Sequence, residues 1–167
     1  MNEGSWGYSR RYRESLIGAI SAGFFFILAG TILLSTPNVI DRITEFFRDF
    51  TTVPEVPNMT WMHLPIPANP AMHTAIYAAV AKFCLIWGIF TIAMLVLRIA
   101  AHSPLGKKAD NAGDIVFWLG ASYLTTTLLN ETTTITNWFV FWTEIIMLIG
   151  VTLIVRAAIL ATGRLRI

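Results

Sequence analysis

The sequence predicts an all-α integral membrane protein: one domain over 1–167, with four transmembrane helices in a bundle under an outer amphipathic helix and a proline-rich cap loop. Three observations lead there. Apolar residues make up 55% of the chain against 13% charged, and the mean hydropathy is +0.62, outside the range of water-soluble domains. Uncharged runs recur that are long enough for a hydrocarbon core of about 30 Å at about 1.5 Å per residue. Lysine and arginine crowd into alternate connections.

The first uncharged run, LIGAISAGFFFILAGTILL from Leu16 to Leu34, sets a span over 16–35. Arg10, Arg11 and Arg13 precede it as they would a secretory signal, but the run exceeds a signal's apolar region and no small-x-small cleavage site follows. Small residues repeat along it: Ser15, Ala19 and Gly23 in one row, Gly18 and Ala22 in another, Ala29 and Gly30 a heptad further on. Such rows let a second helix approach closely, within the bundle or from another copy.

Three more spans follow over 74–99, 113–130 and 135–158. Thr74 to Leu97 is apolar apart from Lys82, Ile115 to Leu129 is uncharged but short, and Ile135 to Val155 is interrupted by Glu144. Basic residues cluster ahead of span one, between spans two and three (Arg98, Lys107, Lys108) and at the end of span four (Arg156, Arg164, Arg166), while the other connections hold Arg42 and Arg48. The positive-inside rule then places both termini in the cytoplasm of a multi-pass cell-membrane protein. The net charge of +2 is thereby a topology signal, and no basic patch calls for nucleic acid.

The outer loop, 36–73, opens with Thr36 as an expected N-cap and Pro37 as the first helical residue. Val39, Ile40, Ile43, Phe46, Phe47 and Phe50 then share one helical face, and Asp41, Arg42, Glu45, Arg48 and Asp49 the other. A helix of that kind lies in the interface with its apolar side down. PNMTWMHLPIPANPAMH follows, from Pro57 to His73. Met59, Met62, His63, Met72 and His73 are the thioether and imidazole donors that copper(I) prefers, with Trp61 able to cover the ion. Against a metal site, the prolines at 54, 57, 65, 67 and 70 hold the chain extended, leaving Met62 and Met72 up to about 30 Å apart unless the loop folds back. A rigid lid that needs no cofactor is the preferred reading. Both sequons, Asn58-Met59-Thr60 and Asn130-Glu131-Thr132, fall in loops assigned to the outside, which makes Asn58 and Asn130 glycosylation candidates.

Within the spans, Lys82 and Glu144 each lie about two turns from the outer end of their helix, at a depth of about 12 Å. Opposite charges at one depth in hydrocarbon are expected to pair, either to fix helix register or as part of an ion path. Arg98, Asp114 and Arg156 form a second set at the inner boundary. Catalysis finds little support: Cys84 is the only cysteine and lies within a span, the serines and threonines lack a companion base, and phosphate loops and zinc spacings are missing. The expected function is therefore a non-enzymatic scaffold or accessory subunit that works by helix contacts in the lipid bilayer, with copies of itself or with another membrane protein. The second reading is an oligomeric ion channel or small transporter built around Lys82 and Glu144, and the third an outer-face copper(I) binder.

Overall fold

A computed structural model of the protein describes residues 4–53 and 64–164. Over these residues the chain is all-α apart from one short β-ribbon, and about 85% helical. Its elements are α1 (Gly4–Ser35), α2 (Val39–Arg48), a two-stranded ribbon of β1 (Phe50–Val53) and β2 (Leu64–Pro67), a 3-10 turn (Pro70–His73), α3 (Thr74–Ala100), α4 (Leu105–Leu128) and α5 (Ile135–Arg164). Among the described residues, three helical segments are long and apolar enough to cross a membrane: Ser15–Ser35, Pro70–Ala100 and Ile135–Thr162. They fall on α1, α3 and α5.

The remaining long helix, α4, has 24 residues, about 36 Å of rise, but it is too polar to join that set. Its polarity has a structural use. α4 packs against both α3 and α5 and buries Asn111, Ser122 and Thr125. The Asn111 Nδ2 donates to the Thr91 carbonyl at 2.6 Å and the Ser122 Oγ to the Ala81 carbonyl at 2.9 Å. Polar groups that would be costly against lipid are thus satisfied on the backbone of α3. Glycines permit the close approach: a Cβ on Gly88 of α3 would lie 2.5 Å from Leu119 Cδ2, and one on Gly120 of α4 would lie 2.6 Å from Leu148 Cδ1.

The turn between α3 and α4 is a helix stop of the Schellman type, in which amides just past the helix bond back to carbonyls of its last turn. The His102 amide donates to the Ile99 carbonyl at 3.1 Å and the Ser103 amide to the Arg98 carbonyl at 2.9 Å. His102 takes the left-handed position, φ 53°, and Pro104 prevents the helix from resuming. At the other end of the bundle Thr134 caps α5, its Oγ1 accepting from the Asn137 amide at 3.2 Å.

α1 leans on α3 through Ile17, Ser21, Phe24 and Leu28, spaced as a heptad seam, and the Phe24 ring stacks on Phe90 at 4.0 Å between centroids. The small-residue rows expected to make a close contact are not used within the bundle. Cβ atoms added at Gly18, Gly23 or Gly30 would meet nothing within 4 Å, and at 100° per residue Ser15, Ala19, Ala22 and Gly23 lie on the side of α1 opposite its seam.

Two expectations for the loop after α1 are corrected. Thr36 does not cap α2. Its Oγ1 instead donates to the Ile32 carbonyl at 2.9 Å and finishes α1, while α2 begins at Val39 behind Asn38, which sits in the left-handed region at φ 51°. Asparagine tolerates that conformation and so can reverse the chain there. The following segment also folds back, Phe50 pairing with Pro67, Thr51 with Ile66, Thr52 with Pro65 and Val53 with Leu64 in an antiparallel ribbon. Proline lacks a ladder donor but is tolerated on an edge strand. The ribbon covers the bundle end: Ile66 is fully buried in a cluster with Tyr77, Leu129, Trp138 and Phe141, with Phe46 and Phe50 packed on it. Val39, Ile43 and Phe46 of α2 are half-buried, as expected of its apolar face, whereas Ile40 and Phe47 of that face are exposed.

Candidate functional site

An open groove of about 730 Å³ lies between α3 and α4, near the capped end of the bundle. One wall is α3, where Ala78, Ala81 and Leu85 supply apolar surface and Lys82 a cation. The other is the last turns of α4, where Ser122, Thr125 and Thr126 line the groove. The Thr125 Oγ1 donates to the Ala121 carbonyl at 2.7 Å and the Thr126 Oγ1 to the Ser122 carbonyl at 2.9 Å. With their protons committed to the helix backbone, these hydroxyls keep acceptor lone pairs for anything in the groove. The turn after α4 closes the capped end with Asn130, Glu131 and Thr132. This turn is rigid: the Asn130 Oδ1 accepts from the Thr132 amide at 2.8 Å and hydroxyl at 2.6 Å, and the Asn130 amide donates to Thr133 Oγ1 at 2.6 Å. The groove therefore has one cation, Lys82, set among apolar residues, and one anion, Glu131, at its rim.

Lys82 and Glu144 are not brought together. Lys82 is exposed in the groove, Glu144 is half-buried on α5, and among the described residues no ion pair joins them. Matching depth was a sound inference from residue counting, but it carries no information about which helix lies between. α4 does, and Lys82 faces its serine and threonine surface.

At the opposite end, Arg156 bonds through Nη2 to Asp110 Oδ1, one turn before Asp114. The stem of Arg156 lies over Gly113, where a Cβ would come 2.7 Å from Arg156 Cγ. Asp114 is exposed, and the half-buried Arg98 donates from Nη1 to the Lys107 carbonyl at 3.3 Å. Arg156 thus pairs with Asp110, a partner not expected from the sequence, and Asp114 feels the charges of both Arg156 and Arg98. Both partners are 43% exposed, so its contribution is that of a surface bridge, about 1 kcal/mol or less.

The cap has a charged latch that sequence reasoning missed. Asp49, just past α2, accepts from the Asn69 amide at 2.9 Å and the Asn69 Nδ2 at 3.2 Å, and its Oδ2 lies 2.9 Å from His73 Nε2. Burial pushes the Asp49 carboxyl up, but the bonds from His73 and Asn69 and the His73 charge outweigh it and hold the group below its ordinary value of 3.8. Asp49 thereby ties the end of α2 to the start of α3. No local motif marked it, since Asp49 and His73 are far apart in sequence.

Of the copper donors, Met59, Met62 and His63 lie outside the described residues, as does Asn58. Met72 is 74% exposed and His73 already uses one ring nitrogen on Asp49. Asn130 is half-buried with its amide nitrogen donated to the Thr127 carbonyl at 3.1 Å. Among the described residues no three His, Cys, Asp or Glu side chains converge as a metal site would require.

Comparison with known protein families, curated proteins and solved structures finds no match.

Proposed function

We propose that the protein is a four-crossing, non-enzymatic subunit of the cell membrane, which works by presenting α1 to another membrane helix, of a second copy or of a different protein. The observation that carries this reading is the unused face of α1. Its heptad seam is occupied by α3, while among the described residues Ser15, Ala19, Ala22 and Gly23 on the opposite side are exposed and a Cβ at Gly23 would meet nothing within 4 Å. In hydrocarbon, where apolar burial gives helices no reason to associate, small residues are what allow close packing. The fourth crossing is assigned to α4, since it packs between two helices that are each long enough to span, and both termini to the cytoplasmic side by the distribution of basic residues.

The test is cross-linking in native membranes from cysteines placed at Ala19 and Ala22, one at a time, with Ile20 as a neighbouring control. Cross-links from Ala19 and Ala22 that disappear on Gly23→Ile support the reading, a dimer mass indicating a second copy and a heavier, unequal mass a different subunit. Equal cross-linking from Ile20, or none from any position, contradicts it.

The alternative is an oligomeric channel or small transporter, favoured by Lys82 standing in an open groove. Flux through vesicles that is lost in Lys82→Met would decide for it. Copper(I) binding is the third reading, supported by the exposed thioether of Met72, and uptake of about one equivalent in competition with a chelator, lost on replacing Met62 and His63, would establish it.

A further inference from the structure

We propose that the α3–α4 groove is a binding site for a phospholipid headgroup that carries a primary amine, its phosphate held by Lys82 and its ammonium by Glu131. Charge and order within the groove point to this class of ligand. Lys82 lies two turns below the start of α3, about 12 Å into the bundle, whereas Glu131 follows α4 at the capped end. A phospholipid has the same order along its axis, apolar chains deepest, then phosphate, then amine toward water. A lysine at that depth without an acidic partner is costly unless it finds an anion, and no ion pair reaches Lys82 among the described residues.

The remaining lining fits the same molecule. The hydroxyls of Thr125 and Thr126 donate to backbone carbonyls and so offer acceptors, which suits ammonium protons better than phosphate oxygens. Glu131 would repel a headgroup of net negative charge and attract one that ends in an amine. Ala81 and Leu85, on the deeper part of the α3 wall, leave apolar surface against which the first acyl carbons can lie. The groove volume of about 730 Å³ falls in the range of small-ligand sites, about 300–1,000 Å³.

The experiment uses the full chain in a mild, lipid-free detergent, with thermal unfolding and native mass spectrometry after addition of phosphatidylethanolamine, phosphatidylglycerol or phosphatidylcholine. Free glycerophosphoethanolamine separates a lipid from its soluble headgroup. Phosphatidylethanolamine is expected to raise Tm with saturation and to stay bound in the gas phase, with phosphatidylglycerol at least fivefold weaker. Lys82→Met should abolish the shift. Glu131→Gln, an exposed change, should remove the preference for the amine over the glycerol headgroup. Should Lys82→Met not fold, Ala78→Phe tests the same point by filling the groove with Lys82 in place. A Tm shift from glycerophosphoethanolamine as large as that from the lipid would reassign the site to a soluble headgroup and overturn the lipid proposal. Equal stabilisation by phosphatidylglycerol, or a preference that survives Glu131→Gln, would overturn the assignment of the ammonium. No saturable effect of phosphatidylethanolamine on the native chain would overturn the proposal entirely.

Discussion

Replacing Gly88 by alanine tests how tightly α4 is held. A Cβ there would lie 2.5 Å from Leu119 Cδ2, 2.9 Å from Leu119 Cγ and 3.3 Å from the Leu119 backbone nitrogen. The Leu119 side chain can turn away from the first contact, but the contact with the backbone requires α3 and α4 to separate. Overpacking of this kind costs about 1–3 kcal/mol, while the better helix propensity of alanine returns about 1 kcal/mol. The expected net loss is about 0–2 kcal/mol, toward the upper end because a backbone atom is among the contacts, read as an earlier midpoint when helical circular dichroism is followed through SDS titration in mixed micelles. Gly120→Ala should cost less, because its near neighbours are the side-chain atoms of Leu148, and Gly18→Ala, which meets nothing within 4 Å, should not destabilise at all. Combining Gly88→Ala with Leu119→Ala should cost less than the sum of the two, with a coupling of about 1 kcal/mol as expected for residues in contact. Gly88→Ala at or above native stability, or strict additivity with Leu119→Ala, would refute the packing described for α3 and α4.

Asp49→Ala should destabilise the cap by about 2 kcal/mol, since it removes the acceptor of three hydrogen bonds, partly offset by solvent; protease sensitivity of the loop would report it. Because the Asp49 pKa is lowered on folding, the latch contributes fully above the ordinary carboxylate value of 3.8 and is lost as pH falls below it, so the variant should show a flatter acid limb than native protein in a pH–Tm series. His102→Gly should raise stability by about 1 kcal/mol, relieving a left-handed histidine at φ 53°, checked by the same SDS titration. Lys82→Met and Glu144→Gln should change stability additively, because the two side chains do not pair; recovery in the double mutant would show that they do.

The starts of α3 and α5 were legible in the sequence, because Thr74 and Ile135 each begin a largely apolar run after a polar connection, whereas α5 continues to Arg164, past the expected end at 158. The inward row of α2 was legible for the same reason: Val39, Ile43 and Phe46 recur with the helical period. What failed was anything decided by a neighbour. Span prediction placed α4 by its apolar stretch from Ile115, whereas the helix starts at Leu105 and buries Asn111, Ser122 and Thr125 against its neighbours. Polyproline-like and strand backbones are both extended, so the prolines at 65 and 67 signalled extension without revealing the partner strand. The same limit applies to charge. Depth along a helix says nothing of its angular position, and that position decides that Lys82 faces a groove and that Arg156 meets Asp110.

The proposed placement of α4 as a crossing helix between α3 and α5 is the claim on which the four-crossing reading turns. Reporters that are active on only one side of the membrane, fused in turn to the N- and C-terminal ends of the full chain, measure it directly. Four crossings require both fusions to report the same side, and the distribution of basic residues makes that side the cytoplasmic one; fusions that report opposite sides would mean an odd number of crossings and would contradict the account.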